Sequence, residues 1–368
     1  MRIDAIELRH IAMELVAPFE TSFGRQDHKE ALLVRVLGAE GQAGWGECVS
    51  MADPFYSPEY LAGSADVIRR WLAPMLMSAP DVSAMTVGPL LDHVVGHAMA
   101  KAALEMAVLD AELRGTGESL AHRLGATRDR VPSGVSVGIQ ASVPELVDVV
   151  GGYLAQGYVR IKIKIRPGWD VEPVRALREA FGDIPLQVDA NSAYTLGDAG
   201  VLRALDDFDL LLIEQPLHED DLRLHAQLAT QLRTPVCLDE SIVSARAAAD
   251  AIALGATRVI NIKAGRVGGY VEARRIHDIA RANGVAVWCG GMLETGLGRA
   301  ANAALAALPG FTLPGDVSAS ARFYARDITE PVELVDGHVM VPTGPGLGVE
   351  PVPEILDEVT RDVEVLRP

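Results

Sequence analysis

Several things are scarce in this 368-residue sequence, and each scarcity removes a class of answer. There are three cysteines, Cys48, Cys237 and Cys289, with no CxxC pair. An odd, sparse set gives no disulfide framework and suits a reducing compartment, where each thiol serves as a small buried hydrophobe. Positive charge is short: 33 Lys and Arg stand against 50 Asp and Glu, a net charge of −17. Nucleic acid and anionic membranes both need a basic face and are therefore not expected as partners, although a local cationic pocket remains compatible with the total. No apolar run is long enough to span a membrane. The opening MRIDAIELRH is charged and alternating, unlike a signal peptide, so the expected compartment is the cytoplasm. No low-complexity linker interrupts the chain. HVVGH lacks the glutamate of a zinc-protease helix, and GVSVGIQASVPE lacks the glycine fingerprint of a dinucleotide fold.

What is present is a period. RIKIKI carries Lys162 and Lys164, LQVDAN carries Asp189 and Asn191, LLLIEQP carries Glu214, VCLDES carries Asp239, and VINIK carries Lys263. From Lys164 onward the steps are 25, 25, 25 and 24 residues. That length accommodates one strand, one helix and two short loops, so each unit reads as βα with a polar residue ending its strand. Eight Val/Ile/Leu-rich strands are expected, from GVSVGI to FTLPGD, with seven helical patterns between them. Such a parallel sheet, buried on both faces, closes naturally into a barrel; a doubly wound open sheet is the alternative.

Ahead of the barrel, residues 3–16, ALLVRV and GWGECV read as strands, the last two forming a hairpin around GAEGQAG. Residues 17–25 and the proline-containing MADPFYSPEY read as loops. The clearest helix is expected near residues 98–113, with Gly115 as its stop. After Asp316, ITEPVEL and HVMVP read as a hairpin around Asp336-Gly337, and the chain is expected to end in a short helix. AGRVGG after Lys263 reads as a tight strand–helix turn. The domain expectation is an α+β capping domain at 1–130, a barrel at 131–320, and a segment at 321–368 returning to the capping domain.

Strand ends on one side of such a barrel share one mouth. Asp189, Glu214 and Asp239 come from consecutive strands, and three converging carboxylates repel unless a cation sits among them. Hard oxygen ligands favour Mg²⁺ or Mn²⁺; solvated or helix-capping carboxylates are the plainer reading of any one of them. Lys164 and Lys263 come from strands four apart and should face each other over the axis. Lys162, two residues before Lys164, should point the same way one layer deeper, a cation that disfavours protonation of its neighbour. Two opposed amines and a hard cation suit removal of a proton from a carbon beside a carboxylate, because the product is a doubly charged enediolate. Return of the proton on the other face is racemisation; a leaving group on the next carbon turns the same chemistry into elimination.

In these motifs the sequence resembles the enolase superfamily, in its muconate-cycloisomerase-like subgroup. APFETSFG, GWGEC, SIVSARAAADAI, INIKAGRVGGYVEARR, WCGGMLETGLGRAAN and GPGLGV make it most similar to the N-acylamino acid racemase / o-succinylbenzoate synthase family. The resemblance implies an α/β fold, a (β/α)7β modified TIM barrel with a capping domain completed by the C-terminal tail. It implies Lys164 and Lys263 as the two catalytic bases and Asp189, Glu214 and Asp239 as ligands of a divalent metal, Mg²⁺ first, with Mn²⁺ or Co²⁺ as alternatives. It brings two capping loops, residues 17–25 and 47–58, over the mouth, so that Phe19, Phe23, Met51, Phe55 and Tyr56 meet an apolar part of the substrate. By the same resemblance Ser136, Lys162, Asn191, Gly291 and Met292 are substrate-binding. A small carboxylate is the implied substrate and a homo-oligomer, octamer or dimer, the implied assembly. The implied activity is racemisation of N-acyl amino acids, or dehydration to 2-succinylbenzoate in menaquinone biosynthesis, or both. The run Asp316-Val317-Ser318 has one Asp where dipeptide epimerases carry Asp-x-Asp to hold an ammonium, which favours an acylated, uncharged nitrogen.

Overall fold

The strands of the computed structural model, which describes all of residues 1–368, come in three groups. The first holds β1 (Ile3–Thr21), β2 (Gly24–Gly38) and β3 (Ala43–Cys48). The short β4 (Arg130–Pro132) leads into the second: β5 (Gly134–Val137), β6 (Arg160–Lys164), β7 (Leu186–Asp189), β8 (Ile213–Glu214), β9 (Val236–Leu238), β10 (Val259–Ile262) and β11 (Ala286–Cys289). Last come β12 (His338–Met340) and β13 (Thr360–Leu366).

β5 to β11 pair in sequence order into one parallel sheet of seven strands, each connected to the next through helix. They are buried almost throughout, which explains their continuous apolar runs. The expected eighth strand is not a regular one. Residues 311–316 instead cross the gap by single bridges, Val287 to Phe311 on one side and Ser133 to Gly315 on the other. Asp316 N–H donates to Cys289 at 2.8 Å and Gly134 N–H to Gly315 at 2.8 Å. Pro314 has no N–H to offer, so a full ladder cannot form there. The curled sheet is thereby closed.

The other sheet is antiparallel, in the order β13-β1-β2-β3. Its glycines explain its packing. A Cβ on Gly44 would lie 2.2 Å from Ala111 N, and one on Gly46 would lie 2.0 Å from Ala103 O. The alternate glycines of GWGEC thus let the alanine-rich helix Ala98–Thr116 lie directly on the strand backbone.

Several local expectations need correction. Residues 17–25 are not a loop: β1 and β2 continue through them as a hairpin, and Phe19 is buried rather than exposed. The first long helix runs through Gly115 and stops at Gly117, whose φ of 71° ends it. Asp336 and Gly337 do form the tight turn, with φ of 48° and 74°. ITEPVEL, however, is not a strand, and β12 pairs with β4 instead. The chain ends in a strand: helix Pro353–Val359 leads straight into β13, which pairs antiparallel with β1. AGRV after Lys263 is a helical turn of its own, closed by Gly268 at φ 99°.

Two carboxylates of the N-terminal region cap helices of the barrel. Glu105, on helix Ala98–Thr116, accepts from Tyr270 N–H at 2.5 Å and Val271 N–H at 3.2 Å. It serves helix Tyr270–Ala282, whose own cap position is Gly269 and has no side chain to offer. Glu47, on β3, accepts from Thr295 N–H at 3.0 Å, Thr295 Oγ1 at 2.7 Å and Gly298 N–H at 3.0 Å, at the start of helix Gly296–Ala306. Burial pushes both carboxyls up. Glu47 reaches about 7, with the Glu294 charge adding and the Thr295 hydrogen bonds opposing; Glu105 reaches about 8, its backbone hydrogen bonds opposing. A carboxyl whose folded pKa is raised contributes stability that is complete below its ordinary range and is lost as pH rises through the folded value. The melting temperature of the metal-free protein should therefore fall between about pH 5 and about pH 9, and the paired variant Glu47→Gln, Glu105→Gln should flatten that fall. An unchanged slope in the variant would show that these two groups do not titrate as described.

Candidate active site

The polar residues of the repeat do end their strands. Lys164 and Asp189 are aligned across β6 and β7, and Asp189 and Glu214 across β7 and β8. Asp239 follows β9 directly, and Lys263 follows β10. Asp189, Glu214 and Asp239 are 1 %, 0 % and 0 % exposed. Each is engaged by an amine. Lys164 Nζ donates to Asp189 Oδ2 at 2.5 Å and to Asn191 Oδ1 at 2.7 Å. Lys263 Nζ lies 2.7 Å from Asp239 Oδ2, and Arg266 donates to the other oxygen, Oδ1, at 2.7 Å. Glu214 accepts from Lys162 at 3.1 Å and from Asn261 at 2.7 Å.

The chain locks these strand ends with strained backbone. Asn191, Ser192 and Gln215 have φ of 41°, 63° and 37°, and Leu293, beyond β11, has 57°. Each such non-glycine residue costs about 1–3 kcal/mol, so surrounding bonds must over-determine it. Gln215 shows how. Its Oε1 accepts from Asp239 N–H at 3.0 Å and Ser241 N–H at 3.2 Å, and its Nε2 donates to Ser241 Oγ at 2.8 Å. One amide therefore braces the Asp239 backbone from the neighbouring strand.

The electrostatics follow from burial against partner charge. Burial would raise Asp189, but the charges of Lys164 and Lys162 outweigh it and hold the carboxyl at about 2. Glu214 goes the other way, to about 8, because burial and the nearby Asp189 charge exceed what Lys162 returns. Burial opposes ionised Asp239, but Lys263 and Arg266 win and its carboxyl falls below the usual range. Burial is the largest single influence on Lys263 and opposes its charge, but Asp239, Tyr56 and Glu240 together outweigh it and hold the amine well above an ordinary lysine.

Lys162 is not the bare cation that its position under Lys164 suggested. Its ammonium sits 2.7 Å from Asp316, 3.1 Å from Glu214 and 3.4 Å from Asp189, and 4.6 Å from the centre of the Trp288 ring. Asp316 is committed in turn, its second oxygen lying 2.9 Å from Arg160.

The cleft above these groups has two lobes. The upper is lined by Phe19, Phe23, Met51, Tyr56, Asn191, Gly291 and Met292 together with Lys164 and Lys263. The lower is lined by Ser136, Lys162, Gly291 and Phe323, again with Lys164 and Lys263. Ser136 Oγ is buried there without a hydrogen-bond partner. The residues expected at the site from sequence, Phe55 excepted, therefore line one or other lobe or lie directly beneath. Phe55, in the same loop as Tyr56, is 68 % exposed and stays outside both. Residues not singled out also matter. Glu240 accepts from Asn191 Nδ2 at 2.8 Å, extending the chain from Lys164, and burial pushes its carboxyl to about 7. DES in the sequence held that signal, since Glu240 follows a strand-end Asp.

Asp189, Glu214 and Asp239 are the residues that could hold a metal. The donor set suits a hard divalent ion: all oxygen, buried, and on adjacent strand ends. With the lysines drawn against Asp189 and Asp239, however, no three acidic groups converge in metal-holding geometry.

Comparison with known proteins gives the same architecture. Residues 5–125 match the family model for the mandelate racemase / muconate lactonizing enzyme N-terminal domain, and residues 145–355 match the enolase C-terminal domain-like family. An N-succinylamino acid racemase from Amycolatopsis is 65 % identical over 361 residues, 98 % of both chains. An o-succinylbenzoate synthase from Geobacillus kaustophilus is 49 % identical over 95 % of this chain and 94 % of its own. Among solved structures, an enolase-superfamily member from Listeria innocua superposes with a TM-score of 0.96 at 40 % identity, covering 100 % of this chain and 99 % of that one.

Asp239 carries the heaviest electrostatic duty here, since two buried cations depend on it. Asp239→Asn should destabilise the metal-free protein by about 3–5 kcal/mol in urea unfolding, the usual cost of leaving a buried charge without its partner. A loss below about 1 kcal/mol would mean that Lys263 and Arg266 find other compensation.

Proposed function

Because the chain belongs to the enolase superfamily and is an enzyme of it, we propose that it racemises N-acyl amino acids, N-succinyl amino acids among them, by passing the Cα proton between two lysines. One observation carries the reading. Lys164 and Lys263 line both lobes of the cleft, from strand ends four apart in the sheet. A substrate Cα held between the lobes has an amine on either side and sends its two arms, side chain and acyl group, into separate spaces. The 65 %-identical relative is named for this activity, which supports the assignment.

In this mechanism the substrate carboxylate lies toward the strand ends. Lys164, neutral when it acts, takes the Cα proton from one antipode, and Lys263 delivers a proton to the opposite face. The reverse reaction exchanges their roles. Asn191 keeps Lys164 Nζ oriented through its 2.7 Å bond, and Glu240 orients Asn191. Tyr56 and Met51 cover the cleft from the N-terminal region and exclude water from the carbanion. Asp189, Glu214 and Asp239 would hold a divalent ion, Mg²⁺ first and Mn²⁺ or Co²⁺ as alternatives. Bound there, it would supply positive charge for the developing enediolate. Asp316, tied to Lys162 and Arg160, is not free to receive a substrate ammonium, which favours an acylated nitrogen.

A second reading is syn-dehydration to 2-succinylbenzoate, the activity for which the 49 %-identical relative is named. It is favoured by the setting of Lys263, whose Nζ lies 5.0 Å from the centre of the Tyr56 ring and against Asp239. A lysine held charged over a π-face suits a stationary cation beside a delocalised substrate ring.

Exchange of the Cα proton in D₂O separates the two. The wild type with Mg²⁺ should exchange both antipodes of an N-succinyl amino acid and lose that exchange on chelation. Lys164→Ala and Lys263→Ala should each lose exchange from one antipode by about a hundredfold or more while retaining it from the other. No exchange from either antipode in the wild type, with rapid dehydration of the cyclohexadiene substrate, would replace the first reading by the second.

A further inference from the structure

Four cations line the two lobes and are already engaged. Lys162, Lys164 and Lys263 are paired with carboxylates, and Arg299 donates to Ser318 and to the Glu294 carbonyl. A fifth, Lys29 on β2, lines the upper lobe and is not engaged. It is only 3 % exposed, yet its ammonium makes no hydrogen bond, and no carboxylate oxygen stands within 4.0 Å of it. The nearest acidic groups that it senses are Glu47 and Glu294, and both are occupied. Glu47 caps the helix at Thr295 and Gly298, and Glu294 accepts from Met292 N–H at 2.8 Å and Asn302 Nδ2 at 3.0 Å. Burial lowers the Lys29 pKa more than these two carboxylates restore it. Its Nζ is not sealed off but opens on the cleft, so the ammonium is partly desolvated and unpaired, and that disfavours its charge. The fold bears that cost beside Gln26, Phe23 and Met51, at the place where the upper lobe opens into the outer groove along residues 23–30.

We propose that Lys29 is a specificity-determining residue that binds a second, distal carboxylate of the substrate, so that the preferred substrates are dianions carrying one carboxylate at the reacting carbon and another at the far end of an arm. This rests on the proposed chemistry and deepens it. The metal-site carboxylates and lysines act on the reacting end, and Lys29 reads the other end from the opposite wall. A pendant carboxylate satisfies the buried ammonium that the protein leaves unpaired, whereas a neutral acyl group of equal length leaves it so. Both activities considered above use a succinyl-bearing molecule, so the same contact would serve either. A distal carboxylate on the acyl group and one on an amino-acid side chain offer Lys29 the same chemistry, and only measurement tells the two arms apart.

The test uses the Mg²⁺-loaded full chain with Lys29→Met, which keeps the bulk and removes the charge, and Lys29→Arg, which restores it. Racemisation of N-succinyl-methionine, N-acetyl-methionine and N-acetyl-glutamate is compared by kcat/KM. In Lys29→Met the preference for N-succinyl- over N-acetyl-methionine should fall about tenfold or more, mainly through KM, as expected for loss of a charge-assisted bond, and Lys29→Arg should recover most of it. If the preference for N-acetyl-glutamate over N-acetyl-methionine falls instead, Lys29 reads the side-chain arm. A ratio that moves less than about threefold for both pairs, whether or not overall activity drops, overturns the proposal and leaves Lys29 a structural charge. Should the wild type racemise none of these compounds, the racemase reading falls by itself. Calorimetric binding of 2-succinylbenzoate against benzoate then decides the question for Lys29, with loss of the difference in Lys29→Met supporting it and an unchanged difference overturning it.

Discussion

Charge matching at the mouth of the barrel governs this structure. Three carboxylates enter a region from which water is excluded, and they are tolerable there only because amines meet them: Lys164 on Asp189, Lys162 on Glu214, Lys263 and Arg266 on Asp239. The balance is uneven. Asp189 is held at about 2 while Glu214, a neighbouring strand end away, is pushed to about 8. A carboxyl held ionised so close to one pushed toward protonation is the kind of perturbation that clusters at functional sites. The strained residues just past the strand ends, Asn191, Ser192 and Gln215, belong to the same economy of fixed position.

The second constraint is rigidity between the two regions. Glu47 and Glu105 leave the N-terminal region to cap barrel helices, and the main hydrophobic cluster runs unbroken from Phe19, Leu33 and Trp45 into the barrel. The wall carrying Lys29 is therefore fixed relative to the strand ends carrying Lys164 and Lys263. What is left more exposed is the stretch around Phe55.

Much of this was legible in the sequence because a parallel barrel converts sequence period into position. A step of about 25 residues, each ending in a charged residue, places those residues on one side of adjacent strands, and Lys164, Asp189, Glu214, Asp239 and Lys263 needed nothing more. Where the reading failed, the deciding force was long-range. Residues 17–25 look like a loop because Pro18 and Gly24 break the pattern, yet they pair as a hairpin and bury Phe19 against Phe323, its ring centroid 6.1 Å away. The last residues look like the end of a helix until β1 offers them an edge. Pro314 hid the weakness of the eighth strand in an otherwise regular count. Lys29 was invisible for another reason: nothing in HKEA marks it, and only three dimensions show that its side chain faces the cleft.

In the proposed mechanism Asp189, Glu214 and Asp239 together would hold one divalent ion between the two lysines. Anomalous diffraction from crystals grown with Mn²⁺ tests it most directly. A single strong peak is expected, bonded to an oxygen of each of the three carboxylates, with Lys164 and Lys263 on opposite sides of the cleft beside it. A peak elsewhere, or none at saturating Mn²⁺ with both lysines still against Asp189 and Asp239, would contradict it.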